Sequence, residues 1–123
     1  MASILIVDDS PTETHVLKGM VEKHGYKVST ADNGEAGIEL AKKAKPDLIL
    51  MDVVMPGMNG FQAARKISND PVTKHIPIII VSTKDQDTDR HWGLRQGASE
   101  YVTKPAQEKE LIGKIKQLLT TGK

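Results

Sequence analysis

Apolar residues are concentrated in short runs. Ile4-Leu5-Ile6-Val7, Leu48-Ile49-Leu50-Met51 and Ile78-Ile79-Ile80-Val81 are nearly unbroken, and weaker runs cover Lys27 to Thr30 and Tyr101 to Thr103. Each is too short for a helix and is bounded by polar or turn-forming residues, so each predicts a strand. The stretches between them carry apolar residues at helical spacing. The first helix is predicted over Pro11 to His24, with Leu17, Met20 and Val21 on one face and Gly25 as its stop. Further helices are expected at about Glu35 to Ala44, with Ile38 and Ala41 inward, and at Phe61 to Ser68. The last two are expected at Thr88 to Gln96, stopped by Gly97, and at Glu108 to Leu119. Pro46-Asp47 breaks the chain before the third strand, and Pro71 and Pro77 bracket the path into the fourth. Regular β-then-α alternation predicts an α/β fold: a doubly wound, five-stranded parallel sheet with helices on both faces. Continuous apolar strands suit burial on both sides. With no repeat or linker, residues 1–123 are expected to form a single domain.

The chemistry lies where strands end. Asp8 and Asp9 follow the first strand and Asp52 follows the third. In a doubly wound sheet, ligands bind outside the carboxyl ends of the strands, at the point where strand order reverses. If the two strands are neighbours, three carboxylates share one crevice, where like charges raise one another's pKa unless a cation neutralises them. Hard oxygen ligands of this kind suit Mg²⁺. Aspartates after strands often serve as helix caps, but Ser10, Pro11 and Glu13 already read as a capping box with proline at the first helical position. Ser82 and Lys104, at the ends of the fourth and fifth strands, add a hydroxyl and an ammonium suited to phosphate oxygens. Alone, each reads as an ordinary loop or surface residue.

Composition narrows the partners. The net charge of +1 offers no basic field for nucleic acid. The absence of cysteine excludes disulfides, thiol catalysis and thiolate metal sites. The start, Met1-Ala2-Ser3, lacks the pattern of a signal peptide, and no apolar run is long enough to span a bilayer, so no membrane insertion and a cytoplasmic location are expected. His15, His24, His75 and His91 show no transition-metal spacing and read as surface residues. No glycine-rich nucleotide-binding loop is present. Trp92 reads as a core residue of the fourth helix, and the charges of Glu39, Lys42 and Lys43 as solvated surface.

Asp8-Asp9, Asp52, Ser82 and Lys104-Pro105, with the loop Met55-Pro56-Gly57-Met58-Asn59-Gly60, resemble the CheY-like receiver domain of two-component response regulators. The likeness runs from the first strand to the last helix. It implies the flavodoxin-like strand order 2-1-3-4-5, of which CheY is an example. It further implies that Asp52 accepts a phosphoryl group from a sensor histidine kinase of CheA-like type. Asp9, Asp52 and the Val54 carbonyl would bind Mg²⁺ directly, and Asp8 through water. Lys104 and Ser82 would contact the phosphoryl oxygens, helped by the Thr83 backbone N–H, and the Lys104-Pro105 bond is expected to be cis. Gly57 and Gly60 shape the loop. Tyr101 would move inward behind Ser82 on phosphorylation. An unidentified protein target would dock on the face of the fourth helix, fifth strand and fifth helix, with Arg90, Leu94, Tyr101, Ala106 and Lys114 as contacts. Thr83, Val54, Lys84 and Ala106 depart from the commoner receiver pattern and bear on phosphoryl lifetime and the output face.

The run Val81-Ser82-Thr83-Lys84 with Arg90-His91-Trp92-Gly93 is similar to stand-alone receivers of type IV pilus twitching motility. The expectation is therefore a monomeric regulator with no output domain and no turnover of an external substrate. Two alternatives compete: a phosphate sink draining a shared kinase, and a haloacid-dehalogenase-type phosphatase with Asp8 as nucleophile. The latter class wants a second Asp two residues on, where Ser10 stands.

Overall fold

The computed structural model describes residues 2–121, with the elements β1 (Ser3–Val7), α1 (Pro11–Lys23), β2 (Lys27–Ala31), α2 (Gly34–Ala44) and β3 (Leu48–Met51) in the first half. The second half adds α3 (Gly60–Asn69), β4 (Ile78–Ser82), α4 (Asp87–Arg95), β5 (Glu100–Thr103) and α5 (Glu108–Thr121). Every expected element is present, with ends displaced by a residue or two. The sheet is wholly parallel in the order β2-β1-β3-β4-β5.

The continuous apolar strands follow from two-sided burial. Leu5, Val7, Ile49, Met51, Ile78, Ile80 and Tyr101 point to one face, where they meet Ala41, Ala63, Ala64 and Ile67 of α2 and α3. Ile4, Ile6, Leu48, Leu50, Ile79, Val81 and Val102 point to the other, against Leu17 and Val21 of α1 and Leu111, Ile112 and Ile115 of α5. On the first face the helices come close. A Cβ on Gly37 of α2 would sit 2.8 Å from Val7 Cγ2, and one on Gly93 of α4 would sit 2.9 Å from Ile80 Cδ1.

That close approach corrects the reading of Trp92. Gly93 occupies the inward position of α4, so the indole has no room beneath the helix and is 48 % exposed. It lies beside Arg65, Ser68 and Arg95 at the α3–α4 junction.

A second correction concerns the start of α1. Ser10 does cap it, accepting from Glu13 N at 3.2 Å. The capping box does not close, because Ser10 N donates to Asp8 Oδ1 at 2.9 Å and the Glu13 carboxylate lies elsewhere. A full capping box forms instead at α3, where Asn59 and Gln62 exchange hydrogen bonds of 3.0 Å.

Candidate functional site

β1 and β3 are neighbours with Val7 paired to Met51, so the residues that follow each strand are brought together. The ladder continues one step past the strands. Asp8 N donates to the Ala31 carbonyl at 3.0 Å and Asp52 N to the Val7 carbonyl at 2.9 Å, while Lys104 N donates to the Ser82 carbonyl at 2.8 Å. These bonds set the backbone from which the site projects. Asp8, Asp9 and Asp52 each offer a carboxylate oxygen within 4.8 Å of the others. Asp8 and Asp52 are buried and Asp9 is exposed.

The loop after β3 folds back tightly over this point. Gly60 N donates to the Val53 carbonyl at 2.8 Å. A Cβ at Gly60 would overlap the Asp52 carbonyl oxygen, so only glycine permits the closure. Gly57 contributes a left-handed backbone at φ +73°.

Lys104 reaches in from the end of β5. Its Nζ lies 2.9 Å from Asp8 Oδ2, 3.1 Å from Glu13 Oε2 and 3.4 Å from Asp52 Oδ1. The Lys104-Pro105 peptide is cis. Burial alone would depress the Lys104 pKa, but the hydrogen bond to Asp8 and the charges of Asp52 and Asp8, with Glu13 behind them, lift it above the ordinary lysine value. The ammonium is therefore permanent in the working pH range. Burial has the opposite consequence for Asp52, whose carboxyl is pushed up to about 6; the nearby Lys104 opposes the shift and Asp8 adds to it. The result is a buried carboxyl that ionises just below neutrality beside a fixed cation.

Glu13 is the member of this cluster that sequence reasoning missed. Its position three residues after Ser10 fits a capping box equally well, so spacing carried no signal of a contact with Lys104.

Ser82 is fully buried at the end of β4, with its Oγ accepting from Lys84 N at 3.1 Å. Tyr101 is buried beside it and donates from its hydroxyl to the Lys84 carbonyl at 2.7 Å. In this structure, then, the ring is already inward and is not an exposed contact of the output face. Thr83 is exposed at the rim, as is the Val54 side chain. Arg90 lies over the Tyr101 ring, 5.4 Å from its centroid, and donates to Thr103 Oγ1 at 2.7 Å. Leu94 is exposed on α4, Ala106 is half-buried, and Lys114 pairs with Glu100 at 3.0 Å. The four histidines are exposed, and the aspartate trio is the metal-competent cluster among the described residues.

This donor set fits a hard divalent cation. It consists of oxygen alone, and the Asp9 carboxylate has no hydrogen bond or ion pair among the described residues. The Val54 carbonyl likewise accepts no hydrogen bond among them.

The chain is similar to known proteins along nearly its whole length. The chain is 57 % identical over 119 residues to the protein PilH of Pseudomonas aeruginosa PAO1, covering 97 % of this chain and 98 % of that one. The chemotaxis protein CheY4 of Vibrio cholerae superposes with a TM-score of 0.88 at 30 % identity, over 95 % of this chain and 98 % of its own. A receiver domain of a sensor histidine kinase from Pseudomonas aeruginosa PAO1, crystallised with a magnesium ion in its active-site cleft, superposes with a TM-score of 0.90 at 28 % identity. That match covers 98 % of each chain. Asp8, the nucleophile a dehalogenase-type phosphatase would need, accepts hydrogen bonds from the Lys104 ammonium and the Ser10 backbone N–H. The response regulator receiver domain family matches residues 4–116, from β1 into α5, and the chain belongs to it.

Proposed function

We propose that Asp52 is the phosphoryl acceptor of a response regulator that takes its phosphoryl group from a histidine kinase and signals by binding another protein. The observation that carries this reading is the convergence of the Asp52 carboxylate, the Lys104 ammonium and the Asp8–Asp9 pair at one strand edge. Above about pH 6 Asp52 is ionised. One of its oxygens forms a bond to phosphorus as the bond from phosphorus to the kinase imidazole breaks. The imidazole nitrogen keeps the electron pair, and Asp52 becomes an acyl phosphate. Asp9, Asp52 and the Val54 carbonyl would hold Mg²⁺ directly, with Asp8 acting through water. When bound, that ion neutralises the crowded carboxylates and the transferring oxygens. Lys104 supplies the protein's own positive charge to the phosphoryl oxygens. Ser82 would leave Lys84 N to hydrogen-bond the new group, with the Thr83 N–H beside it.

The loop holding Ser82 is also the loop that Tyr101 grips, so a shift of Ser82 is felt at β5 and α4. Arg90, Leu94, Ala106 and Lys114 form the output face that reads this change. Phosphorylation biases states that already exist, and the inward Tyr101 is one of them. The resemblance of Val81-Ser82-Thr83-Lys84 and Arg90-His91-Trp92-Gly93 to stand-alone receivers of type IV pilus twitching motility supports a role in that motility.

The test is incubation with Mg²⁺ and acetyl phosphate, or with a phosphorylated kinase, followed by mass spectrometry of wild type and Asp52→Asn. A one-phosphoryl mass gain in wild type and none in the variant is expected. Equal gain in both would place the acceptor elsewhere.

A further inference from the structure

Lys104 donates a hydrogen bond to Asp8 and forms ion pairs with Glu13 at 3.1 Å and Asp52 at 3.4 Å. A phosphoryl group on Asp52 therefore competes with these carboxylates for the Lys104 ammonium. The three partners differ in what release would cost. The Asp8 and Asp52 side chains are 1 % and 10 % exposed, while Glu13 is 45 % exposed. A buried carboxylate stripped of its cation is strongly penalised, whereas Glu13 is met by water. Glu13 is also free of backbone duty, since Asp8 takes the Ser10 N–H that a closed capping box would give it.

We infer that Glu13 is a positioning residue: it holds Lys104 in the resting site as a releasable third anchor and yields it when a phosphoryl group arrives. This rests on the phosphoryl-acceptor reading above. The arriving group brings roughly −1.5 to −2 of charge, which repels Glu13 and outcompetes it for the ammonium. Glu13 thereby stabilises the unphosphorylated state relative to the phosphorylated one.

Beryllofluoride, a non-covalent stand-in for the phosphoryl group, tests this without chemistry. Its affinity is measured by calorimetry at fixed Mg²⁺ for wild type, Glu13→Gln, Glu13→Asp and Asp32→Asn. Asp32 lines the same cleft as Asp8 and Asp9, so its variant removes an equal charge. Lys104 has no ion pair with Asp32 among the described residues. Glu13→Gln is expected to bind about two- to fivefold more tightly, the range of one partly exposed ion pair, with the gain shrinking in high salt. Glu13→Asp should fall between it and wild type, and Asp32→Asn should match wild type. Equal or weaker binding by Glu13→Gln, or an equal gain in Asp32→Asn, would overturn the role of Glu13. Failure of wild type itself to bind would instead bring down the phosphoryl-acceptor reading and this inference with it.

Discussion

Asp52→Asn should make this protein more stable, and the gain should depend on pH in a defined way. The folded Asp52 carboxyl is raised from 3.8 to about 6, chiefly by burial. Folding therefore favours its protonated form. That preference is fully satisfied below pH 4, where the group is protonated both folded and unfolded. Between pH 4 and 6 the unfolded chain releases the proton first, so stability falls as pH rises; above pH 6 the full cost is present. A shift of this size corresponds to about 3 kcal/mol, and water at the mouth of the cleft reduces that to roughly 2 kcal/mol. Asparagine carries no such cost. For a domain of this length the gain is roughly 6–10 °C in Tm. The assay is thermal unfolding of both proteins in chelator across pH 3.5 to 8. The gap should be near zero at the acid end, open between pH 4 and 6, and then stay level. Saturating Mg²⁺ should narrow it, because wild type binds the ion with its full carboxylate set. A gap that is constant with pH would refute burial of the ionised carboxylate as its origin.

Three further outcomes are expected. Lys104→Met should destabilise the fold by roughly 2–3 kcal/mol at pH 7 by leaving Asp8 and Asp52 without their cation, and by much less at pH 4, as read by urea unfolding at both pH values. Gly60→Ala should cost about 3 kcal/mol and abolish Asp52 phosphorylation, since its Cβ meets the Asp52 carbonyl; normal phosphoryl uptake in a folded Gly60→Ala protein would contradict the geometry. The fluorescence of Trp92, the single tryptophan, should be quenched readily by acrylamide, whereas a shielded indole would show that α4 packs differently.

Much of this protein is local and was therefore written in the chain. The runs at Ile4, Leu48 and Ile78 could only be strands buried on both faces, and Gly25 and Gly97 stop helices by adopting positive φ. Asp8, Asp9, Asp52, Ser82 and Lys104 were visible as chemistry because each ends a strand, and alternation alone brings strand ends to one edge. What the chain left undecided is how side chains share partners across it. Strand order came from resemblance, since periodicity is blind to which strand lies beside which. Spacing gave Glu13 one use, the capping box, and only the tertiary structure, by bringing Lys104 from the end of β5 to the start of α1, paired it with the ammonium. Trp92 looked like core because indoles usually are. The approach of α4 to Ile80 and Tyr101 through Gly93 left it no space inside. Sequence determines what a residue is able to do within a turn or two of backbone. Which neighbour it meets is a property of packing, where one glycine or one competing hydrogen bond decides the outcome.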